Sequence, residues 1–194
     1  RPLTLAHLNS QFETGIRSPL DAAILEHDAV NIAAYRKIDE IPFDFDRRRL
    51  SVVVESPGDG ARRLLITKGA PEGILALARA FETAGDVKPL DAASRQMCAD
   101  VHKRLSAEGL RVLAIAYRWV ESRQAYSRED ETDLVLAGFV SFADPVLPDV
   151  ADVLAELKQD GVTVKILTGD NELVARHACR SIGFDEQEIV SGED

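Results

Sequence analysis

The sequence predicts an α+β domain, an antiparallel sheet flanked by helices, followed by a partial α/β segment. Three observations carry this reading. Leu50-Ser51-Val52-Val53-Val54 and the long runs "LRVLAIAYRWV" and "DLVLAGFVSFAD" have the β-branched and apolar content of strands. Helical patterns are grouped among these strands instead of alternating strictly with them. After "ADPVLPDV" the order becomes helix, strand, loop, helix, which is a piece of a parallel sheet.

In chain order, helices are expected over "PLTLAHLNSQF" and from Pro19 to about Tyr35, the second with Ser18 as N-cap and Pro19 in its first turn. Two strands follow, near 49–55 and 63–67, joined by the turn "SPGDGA". "APEGILALARAF" reads as a helix with Pro71 and Glu72 in its first turn. "DAASRQMCADVHKRLSAEG" is another, opened by Asp91 and closed by Gly109. The two long apolar strands come next. Val150, Val153, Leu154 and Leu157 repeat at helical spacing, so 148–160 is an amphipathic helix ending at Gly161. "VTVKIL" is a short strand, and a helix runs from about Asn171 to Ile182. The boundary between the two parts is placed near 142–146, giving domains 1–142 and 143–194. The second is too short to stand alone as a doubly wound domain, so its remaining strands are expected outside this sequence.

Composition narrows the function classes. The chain has 194 residues, 45% hydrophobic and 29% charged, as soluble globular proteins do. No apolar run approaches the roughly 20 residues that cross a bilayer, and the first residues lack the apolar core of a secretory signal. The net charge of −10, without a basic stripe, argues against nucleic acid as a partner. Cys98 and Cys179 are far apart and read as reduced thiols; no metal-ligand spacing is present.

Three segments stand out chemically. "FDFDRRRLSVVVE" places two aromatics and three adjacent arginines at the entry to a strand. Either this is a solvated turn, or it stacks a flat ring and holds an anion. "TKGAPEGI", residues 67–74, runs from a strand through Lys68-Gly69 into a helix; glycine lets a ligand approach the backbone and the lysine offers a cation. Taken alone it reads rather as an ordinary turn with a solvated lysine, and it is not a Walker P-loop. "LTGDNELVA", residues 167–175, puts Thr168, Gly169 and Asp170 at a strand end before a helix start, where backbone N–H groups favour phosphate. Ordinary capping by Asp170 or Asn171 explains the same residues. The run "SREDETD", 127–133, reads as a solvated acidic turn.

Four segments together, "FDFDRRRLSVVV", "TKGAPE", "GLRVLAIAYR" and "ADPVLPDV…VKILTGDN", resemble the cytoplasmic region of P-type ATPases, the ion pumps that pass through an aspartyl phosphate. Each alone is modest; in this order, over nearly the whole chain, they are specific. "KIDEIPFDFDRRRLSVVVE" is most similar to the magnesium-transporting branch. The resemblance implies a nucleotide-binding domain followed by part of a haloacid-dehalogenase-like phosphorylation domain. It implies that Phe43 stacks on adenine, that Lys68 and Gly69 form the pocket floor, and that Arg48 faces the nucleotide phosphates. Arg111 corresponds to an arginine that reaches phosphates or ribose, and Asp21 stands where many members keep a glutamate near the adenine edge. Asp144, Thr168, Gly169 and Asp170 belong by resemblance around the transferred phosphoryl group. The implied ligands are ATP and the Mg2+ that accompanies it. The implied partners are the phosphorylation, actuator and transmembrane domains of the same chain, which makes this the cytoplasmic part of an integral membrane protein.

Neither the Asp-Lys-Thr-Gly-Thr of the phosphorylated aspartate nor the later Gly-Asp-Gly-x-Asn-Asp segment occurs in the sequence. The expectation is therefore a fragment that binds ATP without turning it over, with no catalytic residue and no metal site of its own. Stacking plus one or two exposed cation contacts at ~1–2 kcal/mol each gives a dissociation constant of roughly 0.1–1 mM. Two alternatives stay open on the sequence. One is a soluble phosphatase of the haloacid-dehalogenase type, for which "DFD" at 44–46 has the spelling but precedes a strand. The other is a non-enzymatic nucleotide-binding module. In the main reading Phe45 belongs to the core, and Arg47 and Arg49 are solvated.

Overall fold

Val52, Val53 and Val54 are all fully buried, so the strand that carries them is covered on both faces. The structure is a computed structural model and describes residues 1–15, 17–27, 30–55, 62–169 and 171–184. The elements are α1 (Pro2–Phe12), α2 (Pro19–His27), β1 (Arg36–Asp44), β2 (Arg49–Glu55), β3 (Arg62–Gly69), α3 (Pro71–Leu77), β4 (Ala78–Thr83), β5 (Asp86–Pro89), α4 (Ala92–Ala107), β6 (Arg111–Glu121), β7 (Leu134–Phe142), α5 (Val150–Gln159) and α6 (Glu172–Ser181). They divide into two compact units, Arg1–Asp100 with Val112–Val140, and Val101–Arg111 with Ser141–Asp194.

In the first unit the sheet has the order β1-β2-β3-β6-β7-β4-β5. β1, β2, β3 and β6 pair antiparallel in turn, as do β4 and β5, whereas β4 and β7 pair in parallel. Side chains alternate across a strand, so the register decides what each residue meets. Val53 and Leu65 are partners and join Ile74, Leu75, Cys98 and Leu134 in one core. Val52 and Ile66 are partners on the other face, where Asn9 of α1 donates to the Ile66 carbonyl at 2.9 Å. By the same alternation Lys68 goes to the face of Ile66, and Thr67 to the face of Leu65.

Several expectations change. The helix from Pro19 ends at His27 and not near Tyr35; residues 36–44 are the sheet's edge strand β1. Pro42 sits there because an edge strand tolerates a missing N–H, and the pairing with β2 is irregular between Ile41 and Asp44. The helix begun by Pro71 stops at Leu77, and "ARAFET" turns back as the β4–β5 hairpin through Ala84 and Gly85, both at positive φ. Two such residues between strands are what a tight hairpin of native twist requires. The sheet is thus mixed, not purely antiparallel. "VTVKIL" forms no strand among the described residues, and Leu167 is 97% exposed. The apolar stripe of α5 is not buried among the described residues. The expected α/β arrangement of the second part is therefore absent from the described residues, while Asn171 caps α6 by accepting from Leu173 N at 2.9 Å. The "SPGDGA" turn lies outside the described residues.

Candidate functional site

Two polar networks, on opposite faces of the sheet, flank the end of β2 and β3 at which the predicted residues cluster. The first surrounds Lys68. Its side chain is 5% exposed and its Nζ donates to Ser10 Oγ at 2.8 Å and to Asp21 Oδ1, with Glu13 Oε2 at 3.6 Å. Asp21 reaches this point because Ser18 and Asp21 form a reciprocal cap at the start of α2. The Ser18 backbone N–H donates to Asp21 Oδ2 at 3.1 Å, and Asp21 N–H donates to Ser18 Oγ at 3.2 Å. Ser10 Oγ donates to Asp21 Oδ1 at 2.8 Å. Burial works to raise the Asp21 pKa, but donors from Lys68, Ser18 and Ser10 outweigh it and hold the carboxyl below the ordinary range.

Glu13 goes the other way. Burial pushes its pKa up from the ordinary 4.5 to about 7, against the pull of Lys68, and its buried Oε1 has no hydrogen-bond partner among the described residues. A carboxyl whose pKa rises on folding favours the folded state fully below 4.5 and loses that contribution as pH rises towards 7. Between those values the chain is expected to lose stability by at most about 1.4 kcal/mol per pH unit on this account. Glu13→Gln should flatten that part of the profile, as read from urea midpoints between pH 4.5 and pH 8. An unchanged slope in the variant would refute the assignment to Glu13. Asp21 acts outside this window, since a lowered pKa costs stability only as pH falls below its ordinary 3.8.

The second network lies at the turn 44–49. Arg47 Nη1 and Arg49 Nε donate to the same Glu131 oxygen at 2.5 and 2.7 Å, and Ser51 Oγ donates to the other at 2.8 Å. Ser51 and Thr67 hydroxyls are 2.8 Å apart across the β2–β3 pair. Glu131 is fully buried, so the acidic run 127–133 is not simply a solvated turn, and Arg47 and Arg49 are not solvated residues. A buried carboxylate needs such donors. Phe45 is not core either. It is 88% exposed and meets Phe43 edge to face, with ring centroids 5.2 Å apart.

Phe43 is half exposed at the end of β1. Arg48 is exposed at the top of the turn with φ of +48°, and among the described residues it makes no ion pair. Its carbonyl accepts from Ala70 N at 2.9 Å, which ties the turn to the Lys68-Gly69 segment. Gly69 pairs with Arg49, and a Cβ there would lie 2.5 Å from the Arg48 oxygen. Phe43, Arg48, Gly69, Lys68 and Asp21 thus belong to one unit. Phe43 and Arg48 are open to solvent, while Lys68 and Asp21 are inside.

In the second unit, Arg111 Nη2 lies 3.3 Å from Asp144 Oδ2, an exposed pair. Thr168 and Gly169 are in an exposed segment without strand pairing, and Asp170 lies outside the described residues. Among the described residues no group of three His, Cys, Asp or Glu is placed to hold a metal ion, and no helix is long and apolar enough to cross a membrane. Sequence reasoning missed Glu13, Ser10 and Glu131. One signal for Glu131 was present. Arg47, Arg49 and Ser51 recur at period two into a strand, a polar row on the face that Thr67 shares.

Comparison with known proteins gives a consistent picture. Residues 9–149 match the family described as P-type ATPase, cytoplasmic domain N. The chain is 42% identical over 200 residues to magnesium-transporting ATPase, P-type 1, of Escherichia coli K12, aligning 100% of this chain with 22% of that protein. It is 33% identical over 168 residues to the plasma membrane-type calcium-transporting ATPase 3 of rice, with 84% of this chain and 16% of that protein covered. It is 29% identical over 149 residues to a calcium-transporting ATPase of Bacillus subtilis, with 76% and 16% covered. The chain thus matches 22% of the length of the magnesium-transporting relative and 16% of the length of each calcium-transporting one.

Proposed function

The chain belongs to the P-type ATPase family, as its cytoplasmic domain N, and on that premise we propose that it binds ATP at the β1–β2–β3 end and serves a magnesium-translocating pump. The observation that carries the proposal is the junction of the Phe43–Arg48 turn with Lys68-Gly69, held by the Ala70 N to Arg48 O bond of 2.9 Å. It puts a half-exposed aromatic face and an exposed cation at one end of the sheet. Stacking suits the first and a phosphate the second. Lys68 and Asp21 contribute as a rigid, charge-balanced floor. Arg111 and the phosphoryl-site roles of Asp144, Thr168, Gly169 and Asp170 rest on the resemblance of their segments alone.

Magnesium as the transported ion is favoured by the higher identity to the magnesium-transporting relative, over the whole chain, than to the calcium-transporting ones. The absence of turnover in this reading is supported by the lack of an Asp-Lys-Thr-Gly-Thr sequence in these 194 residues, because phosphoryl transfer needs an in-line nucleophile. The remaining partners would be the other domains of the pump.

Adding ATP to millimolar levels is expected to shift the NMR signals of Phe43, Arg48 and their neighbours, with no ATP consumed. Phe43→Ala should weaken binding about fivefold, the worth of one aromatic contact. Silence of these signals at saturating nucleotide would remove the proposed site, and sustained hydrolysis by the chain would favour the phosphatase reading.

A further inference from the structure

We infer that Glu131, 82 residues beyond Arg49 in the chain, is a positioning residue of the nucleotide site. The inference rests on the proposed site at Phe43 and Arg48. Three adjacent arginines at one turn would compete for the same phosphate and repel one another. The fully buried Glu131 carboxylate removes two of them from that competition by binding Arg47 Nη1 at 2.5 Å and Arg49 Nε at 2.7 Å. What remains outward is Arg48 alone.

The same bonds shape the backbone on either side of it. Arg47, anchored by Glu131, also donates through Nη2 to the Pro42 carbonyl at 2.9 Å, the residue before Phe43. Arg49 Nη1 reaches the Arg47 carbonyl at 3.3 Å and so closes the turn beneath Arg48. Arg47 N–H donates to Asp44 Oδ1 at 2.9 Å and Arg48 N–H to the Asp44 carbonyl at 2.7 Å. Arg48 holds φ of +48°, a conformation uncommon for a side-chain-bearing residue, and these bonds help to hold it. Glu131 is the fixed point of that frame. It is itself held from the sheet by Ser51, which in turn meets Thr67, the neighbour of Lys68. A single carboxylate therefore links both aligned strands to the orientation of the exposed cation.

The test is a double-mutant cycle on the 194-residue chain, with ATP affinity read by NMR titration and folded fraction by circular dichroism. Glu131→Gln keeps the shape but loses the charge, and is expected to weaken ATP binding about fivefold. In an Arg48→Ala background the same change should alter affinity less than about twofold, because the cation it positions is gone. A merely structural role would lower binding equally in both backgrounds, and such additivity overturns the inference. Should Glu131→Gln not fold, Arg47→Lys, which replaces the fork joining Glu131 to the Pro42 carbonyl, carries the same two readings. If the unsubstituted chain binds no ATP, the proposed function fails first and this inference with it. If it binds and the cycle is additive, only the positioning role fails.

Discussion

Lys68→Met is expected to destabilise the chain by about 3–5 kcal/mol, the cost of removing one partner from a buried ion pair. The substituted side chain has similar length and no charge, so the loss is electrostatic more than volumetric. Among the described residues Asp21 would be left buried with Ser10 and Ser18 as donors, while Glu13 would lose the attraction of Lys68. Both carboxyls would then shift towards the protonated form, and stability should fall more steeply from acid to neutral pH than in the unsubstituted chain. Replacing the partner too, in Lys68→Met with Asp21→Asn, should recover part of the loss, because a neutral amide can keep the cap at Ser18 and some of the hydrogen bonds. Urea unfolding of the unsubstituted chain and of the two variants measures this. A loss below about 1 kcal/mol would mean that the pair contributes no more than a surface one. The result also bears on how the site is probed. A weakened ATP affinity in Lys68→Met mixes a fold effect with a contact effect, whereas Phe43 and Arg48 are exposed and report on the ligand.

Much of this architecture was written in local pattern, and the rest in contacts that local pattern cannot carry. α1, α4 with its Asp91 cap, β6 and β7 follow from apolar periodicity and from end signals that act within a few residues. β1 and the β4–β5 hairpin were hidden because their stability comes from pairing: Lys37 to Val54 and Glu40 to Val52 in one case, Phe81 to Lys88 in the other. "VTVKIL" shows the converse, a strand-like composition that without a paired neighbour remains unpaired. The site divides in the same way. Phe43 and Arg48 could be singled out because aromatics and cations at a strand entry are unusual. Asp21 and Lys68 are 47 residues apart and Arg47 and Glu131 are 84, so nothing in their spacing announces a pair. Of the four carboxylates in "SREDETD", only the folded chain singles out Glu131 as the one that faces inward with Arg47 and Arg49.

Gly69→Ala is expected to cost about 3 kcal/mol and to weaken ATP binding more than tenfold, a large effect for one methyl group. Gly69 faces Arg49 in the β2–β3 register, where ordinary partner Cβ atoms stand about 5 Å apart. Here an added Cβ would be 2.5 Å from the Arg49 Cβ, 2.5 Å from the Arg48 oxygen and 2.7 Å from the Arg49 Cα. None of these atoms can swing aside, since all belong to the backbone or are fixed to it. The turn itself must move, and with it the Ala70 N to Arg48 O bond and the +48° conformation of Arg48. Gly73, four residues on, supplies the control. Its nearest neighbours are at 3.7 and 3.9 Å, ordinary contact, so Gly73→Ala should be neutral or gain up to about 1 kcal/mol from helix propensity in α3. Two readings of Gly69 are separated by measuring stability and affinity together. If the glycine exists to let the turn close, both fall in Gly69→Ala. If it exists to make room for the nucleotide, affinity falls while the urea midpoint stays where it was, and the close approach to Arg48 would then be secondary to the space above it.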